Sequence, residues 1–180
     1  MRDIYTKPIP MKALKIVLAT IAVIIAVFFS LGLIVPSYEY QSRVIVNASP
    51  EKCWAVFHDT ASMKLWLDGF QSITLKKNEP MQPGSEYELI VTDDGHRMVM
   101  AEKIIDIHAP DKVTYEINND VLKSEFSVSF VGTSSTTITS VYKITGNTLF
   151  WKSVLCLSRS YMTTAAQEQL DALKTVIEKQ

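Results

Sequence analysis

The chain has 180 residues, enough for one domain and an additional segment, and 47% of them are apolar, ordinary for a globular protein and too few for a polytopic membrane protein. Formal net charge is −1, but Arg2, Lys7, Lys12 and Lys15 stand against Asp3 in the first fifteen residues, leaving a mildly acidic remainder of −4. That balance excludes the clustered basic face of a nucleic-acid-binding domain, so no nucleic-acid partner is expected, and there are no low-complexity runs or solenoid-period repeats.

From Ile16 to Val35 the chain reads IVLATIAVIIAVFFSLGLIV without a charge. Twenty such residues, at about 1.5 Å rise each, cross a hydrocarbon core of about 30 Å. A helix satisfies its own backbone in lipid, and Pro36 ends it. A buried soluble helix of this length would show a polar face. Ser30-Leu31-Gly32 offers a small-x-small cleavage site, but the apolar run exceeds the 7–15 residues of a signal core. The division expected is a basic tail over 1–12, a transmembrane helix over 13–36 and a folded domain over 37–180. Four basic residues precede the helix, and only Arg43 and Lys52 follow within twenty residues. The positive-inside rule then places the N-terminus in the cytoplasm and the domain on the extracytoplasmic side of a single-pass membrane protein.

Residues 38–47 form a strand. Ser49-Pro50-Glu51 opens a helix over about 50–59, with a capping hydroxyl, a proline suited to the first helical position and an acid that complements the dipole. A short helix covers Ser62 to Leu67. Strands follow: Ile73 and Leu75 alternate with polar residues, as do Tyr87, Leu89 and Val91, and Asp93-Asp94-Gly95 marks a hairpin turn. The run 96–107 carries apolar residues at both parities, for which a bulge that switches faces is one explanation. Beyond a turn at 108–111, Val113, Tyr115 and Ile117 share one face, as do Phe126, Val128 and Phe130, and then Ile138, Tyr142 and Ile144. This is an antiparallel sheet with one buried face. Thr148 to Lys179 has apolar or small residues at three- and four-residue steps with no Gly or Pro, a helix long enough to cross the sheet. Cys53 and Cys156 form no CxxC or metal spacing and read as buried, inert thiols.

In order, Ser42–Trp54, Met63–Leu67 and Ile104–Tyr115 resemble the opening strand and first-helix entry, the tryptophan-containing segment and the strand–turn–strand of the START-like (SRPBCC) superfamily. Within it, the chain is similar to the polyketide cyclase/dehydrase and lipid-transport family. The resemblance covers Tyr38 to the C-terminus. It implies an α+β helix-grip fold, in which a curved antiparallel sheet wraps a long C-terminal helix, here preceded by one transmembrane helix. It also implies a cavity between sheet and helix that holds an apolar small molecule or lipid.

The expected lining is Tyr87, Tyr115, Phe126, Phe130 and Tyr142 from the sheet, Trp151, Leu155 and Met162 from the helix, and Ser124 and Ser140 as polar anchors. Packing into an ordinary core is the competing fate of each aromatic. No catalytic residue, cofactor or metal is called for: His58, His96 and His108 have no ligand-spaced partner, and no nucleophile motif occurs. Glu102, Arg97 and His96 could face inward in one register, but a solvated strand face is expected because unpaired buried charge is costly. The stretch Leu149–Leu157 is apolar nearly all round, suiting a pocket mouth that faces the bilayer or a contact with another membrane protein. The function expected is binding of an apolar or lipid-like molecule by a membrane-anchored domain without covalent chemistry. The alternatives are a cyclase/dehydratase-type enzyme and a protein-interaction module.

Overall fold

The structure, a computed structural model, describes residues 11–93 and 95–180. Most of the basic tail expected over 1–12, and the central residue of the 93–95 turn, lie outside the described residues. The elements in order are α1 (Met11–Ile34), β1 (Ser37–Val46), α2 (Pro50–His58), α3 (Thr60–Trp66), β2 (Phe70–Lys77), β3 (Glu86–Asp93), β4 (His96–His108), β5 (Lys112–Asn118), β6 (Leu122–Gly132), β7 (Thr136–Gly146) and α4 (Leu149–Lys179).

Local chemistry sets the helix starts. The Ser49 hydroxyl accepts the Lys52 amide at 3.4 Å, with Pro50 in the first turn of α2. Asp59 closes α2 and opens α3: its carboxylate accepts the Ser62 amide at 2.8 Å and the Ser62 hydroxyl at 2.7 Å. That cap starts α3 two residues earlier than the sequence pattern indicates. Thr148 caps α4 through the Trp151 amide.

The seven strands form one antiparallel sheet in the order β1-β7-β6-β5-β4-β3-β2. The first strand therefore pairs with the last, and the rest is a meander. The two-sided apolar run in β4 resolves into a register shift between Ile104 and Asp106 against β5. Ile104 is fully buried before the shift, Ile105 is 42% exposed, and Ile107 packs on the core after it. One extra residue thus moves the inward face from even to odd positions.

The second half of α4 seals one end of the domain. Leu170, Leu173, Val176 and Ile177 pack with Val44, Val46, Ile104, Val113, Val128, Phe130 and Ile138 of the sheet and with Cys53, Val56 and Phe57 of α2. The helix also covers the free edge of β1. Gln167 donates to the Arg43 carbonyl at 3.1 Å and accepts the Arg43 amide at 3.3 Å, Lys174 donates to the Ile45 carbonyl at 2.6 Å, and Glu178 accepts the Asn47 amide at 3.0 Å. Side chains thus occupy edge groups that would otherwise template another strand. A smaller cluster of Tyr38, Ile144 and Leu155, flanked by Tyr40, Leu122, Tyr142 and Met162, holds the first half of α4 to the sheet. Between Met162 and Leu170 the helix carries the small side chains Ala165 and Ala166.

Candidate functional site

Beneath the sheet's concave face lies a cavity of about 410 Å³. Its sheet wall is Ile73, Tyr87, Leu89, Met100, Glu102, Ile104, Tyr115, Ile117, Phe126 and Tyr142. Phe57, His58, Thr60, Met63, Trp66 and Leu67 come from the α2–α3 side, Pro80 and Met81 from the β2–β3 connection, and Gln169 from α4. Thr60, Pro80 and Met81 are exposed, so this side forms the rim, while Glu102, Ile104 and Tyr115 are buried at the inner wall. A second depression of about 400 Å³ lies among Lys76, Glu86, Glu88, Lys103 and Glu116. Exposed ion pairs at 3.0 Å (Lys76–Glu88) and 2.7 Å (Lys123–Glu116) mark it as a solvated charged face.

Glu102 is the single Asp, Glu, Lys or Arg lining the inner cavity among the described residues. It pairs across the sheet with Tyr87 on one side and Ile117 on the other, and is only 8% exposed. The expectation of a solvated strand face is therefore corrected for Glu102. It shares the parity of Met100 and Ile104, which the sheet must bury, and the bulge falls after it. His96 and Arg97 are exposed. Burial alone pushes the Glu102 carboxyl up from 4.5 to about 7, with no charged or hydrogen-bonding partner to oppose the shift.

His58, at the end of α2, faces the same space. Its Nδ1 lies 2.9 Å from the Trp54 carbonyl and its Nε2 3.0 Å from the Tyr115 hydroxyl. A carbonyl only accepts, so Nδ1 carries the proton, and the neutral Nε2 accepts from the Tyr115 hydroxyl. Burial holds the ring neutral, pushing it down from 6.5 to about 4. The Tyr115 and Tyr142 phenols are raised by burial and further by the nearby Glu102 charge.

These shifts act on stability in opposite directions. The His58 contribution is full above its unfolded value of 6.5 and is lost as pH falls towards about 4. The Glu102 contribution is full below 4.5 and is lost as pH rises towards about 7. Between 4.5 and 6.5 the two slopes offset each other. Glu102→Gln removes one of them. It is expected to stabilise the chain at pH 8 by up to about 3 kcal/mol, since each tenfold change in proton affinity between the folded and unfolded chain contributes about 1.4 kcal/mol. At pH 5 the gain should be small, leaving an unopposed acid-side loss. Denaturant unfolding of the full chain at both pH values checks this, and an equal effect at pH 5 and 8 would contradict it.

Of the residues expected to line the cavity, Tyr87, Tyr115, Phe126 and Tyr142 do so. Phe130 is 1% exposed and sits in the core against Trp54 and Phe57. Ser124 and Ser140 share the inward parity, but their hydroxyls are buried outside the lining without a partner. Ser140→Ala is accordingly expected to leave stability unchanged or raise it by up to about 1 kcal/mol, since it removes a desolvated polar group; thermal unfolding reads this directly. Trp151, Leu155 and Met162 lie on the first half of α4, away from the lining. Leu155 and Met162 join the Tyr38 cluster, where the Tyr38 hydroxyl donates to Met162 Sδ at 2.7 Å. His58, Glu102 and Gln169 carry the polar character instead. Cys53 is buried and Cys156 half-buried, both as free thiols. Among the described residues no group of three or more His, Cys, Asp or Glu could hold a metal.

Solved structures share this architecture at low sequence identity. The Zhui aromatase/cyclase from Streptomyces sp. R1128 superposes with a TM-score of 0.65 at 10% identity, over 79% of this chain and 94% of its own. Ara h 8.0201 gives 0.62 at 14% identity, over 80% and 99%. The di-domain ARO/CYC BexL from the BE-7585A biosynthetic pathway gives 0.63 at 15% identity over 83% of this chain, which spans about half the length of BexL, 52%. At these identities the likeness is one of fold. No curated protein matches the chain. A family model described as polyketide cyclase / dehydrase and lipid transport matches residues 38–178, from the start of β1 to the end of α4. With its seven-stranded sheet, long closing helix and apolar cavity, the chain belongs to the polyketide cyclase/dehydrase and lipid transport family, within the START-like (SRPBCC) fold.

Proposed function

We propose that the chain is a membrane-anchored domain that holds a lipid-like or other apolar small molecule beneath α4, without covalent chemistry. The carrying observation is the cavity of about 410 Å³, walled mainly by aromatic, Leu, Ile and Met side chains, with a few polar groups at its inner end. Native mass spectrometry of the full chain released from its source membrane tests this. An adduct of constant small-molecule mass supports it; a bare chain contradicts it.

The tether rests on α1. It is 24 residues long with mean hydropathy 2.8, and only 6% of its most apolar window is buried. The basic residues before it support a cytoplasmic N-terminus, with the domain across the membrane. The end of α1 packs on the start of α4. A Cβ on Gly32 would fall 2.6 Å from Ser153 Oγ and 2.9 Å from the Leu149 carbonyl, and the Phe28 and Phe150 rings lie 5.7 Å apart. Small residues permit such close helix approach within lipid. The apolar start of α4, read from sequence as a pocket mouth or a partner contact, thus has α1 against one side. Beyond the Phe28 contact, Leu157 (64%) and Tyr161 (73%) are exposed on the helical face that Phe150 (49%) begins. That stripe continues the lipid-facing surface of α1, with Tyr161 and Arg159 suited to the interface. A spin label at Leu157→Cys, in a background lacking Cys53 and Cys156, is expected to contact oxygen rather than aqueous nickel in nanodiscs. A label at Glu168→Cys should show the reverse, and equal nickel access at both sites would contradict the placement.

One observation favours a second reading, an enzyme of cyclase/dehydratase type. Glu102 titrates near neutrality beside a His58–Tyr115 hydrogen bond, so a proton donor and acceptor face one apolar space. Turnover of an apolar carbonyl substrate that is abolished in Glu102→Gln would select it.

A further inference from the structure

The cavity's polar end says more about its occupant than its volume does. Glu102 is more than nine-tenths buried and lines the cavity, and no protein group donates to it or neutralises it. Tyr87 is its cross-strand neighbour, and the Tyr115 and Tyr142 phenols feel its charge; His58, Gln169 and Trp66, whose indole N–H has no partner, share the lining. The Tyr115 proton is committed to His58, and the His58 proton to the Trp54 carbonyl. Neither group therefore supplies Glu102 with a cation. A buried acceptor without a donor is costly, and a buried carboxylate without a counter-charge is more so. Glu102 lines the cavity, so an occupant that displaces water from its carboxyl incurs these costs unless it brings a donor of its own.

We propose that the cavity takes an amphiphile whose polar end is a hydrogen-bond donor, a primary or secondary amine above all, held against the Glu102 carboxyl with its apolar body along the Met100–Ile117 wall. This rests on the reading of the cavity as a ligand site and names the ligand's chemistry. An ammonium gives Glu102 both a donor and an opposite charge in a water-poor space, where such pairs are strongest. An alcohol gives a donor alone. A carboxylate brings a second negative charge beside the first, with no Lys or Arg in the lining to receive it. Fatty-acid anions are therefore disfavoured against amines, although their tails would fit the apolar walls.

The test uses the full chain in nanodiscs and a decanol derivative with a photoactivatable diazirine in its chain, competed at pH 7 by decylamine, decanol or decanoate. Peptide mapping follows only cross-links at cavity residues, so insertion into the bilayer does not count. In the wild type, decylamine should compete at a concentration at least tenfold below decanol, and decanoate should compete least. In Glu102→Gln, decylamine should lose its tenfold advantage over decanol. Decanoate competing as well as decylamine in the wild type, or an unchanged amine advantage in Glu102→Gln, would overturn the proposal while leaving an apolar ligand site in place. Absence of cavity cross-links from the diazirine decanol would overturn the ligand site and the proposal together.

Discussion

Replacing Leu173 with alanine is expected to destabilise the domain by about 3–4 kcal/mol, the cost of deleting three buried carbons and leaving a hole the surroundings only partly close. Leu173 is fully buried where the second half of α4 meets β1, β7 and the α2–α3 pair, with Leu170 and Ile177 on the same helix face. The hydrogen bonds from Gln167 and Lys174 to the edge of β1 flank it in sequence. They tie helix to sheet but cannot replace lost apolar contact, since each contributes only about 1 kcal/mol net. Denaturant unfolding of the full chain in mild detergent, followed by near-ultraviolet circular dichroism, measures the loss. Leu157→Ala, on the exposed stripe of the same helix, should change stability by less than about 0.5 kcal/mol. Equal costs at the two positions would mean that α4 does not grip the sheet through its C-terminal half.

Filling the cavity is expected to weaken ligand binding at least tenfold without unfolding the chain. Ile117 lies opposite Glu102 across the β4–β5 ladder and lines the space from β5. An indole there extends into existing void. Overpacking a filled core costs about 1–3 kcal/mol, but that strain arises from displaced neighbours, of which a void has few. Ile117→Trp should therefore bind an apolar ligand at least tenfold more weakly while keeping its circular dichroism spectrum. Val131→Trp is the matched control, because Val131 is 66% exposed at the end of β6. It adds the same indole and should bind ligand as the wild type does. A loss of binding in both variants would point to a general defect; no loss in Ile117→Trp would place the ligand elsewhere.

Much of this architecture is legible in the chain because period-2 patterning survives in β3, β5, β6 and β7, and because Ser49-Pro50-Glu51 marks a helix start; the cap at Thr148 emerges only in the structure. The apolar residues at both parities of 96–107 suggest a bulge but do not place it. Placement decides the fate of Glu102. If the even positions of β4 face inward up to Ile104, the carboxyl is buried; with an earlier bulge it is solvated. The chain does carry a signal: Met98, Met100 and Ile104 share its parity, and a lone acid in such a row marks either an error of register or a site. The covering helix is harder to read. An apolar stripe along 31 residues does not say which turn touches core and which spans a void, and the stretch with the bulkiest side chains, around Trp151 and Leu155, packs on α1 and the Tyr38 cluster. The lining from α4 comes from Gln169, one turn beyond Ala165 and Ala166, where side-chain volume is lowest. The contact of Gly32 with Ser153 joins segments more than a hundred residues apart and leaves no periodic trace.

The cavity and its polar end raise one question: whether an apolar molecule sits beneath α4 or merely partitions into a bilayer supplied with the chain. Photo-cross-linking of the full chain in nanodiscs with a diazirine-bearing decanol, followed by peptide mapping, separates the two. Adducts on Met63, Met100 and Tyr142 that disappear in Ile117→Trp are the expected result. Adducts confined to α1 and the Phe150–Tyr161 stripe, unchanged in that variant, would show that the space beneath the helix holds no ligand.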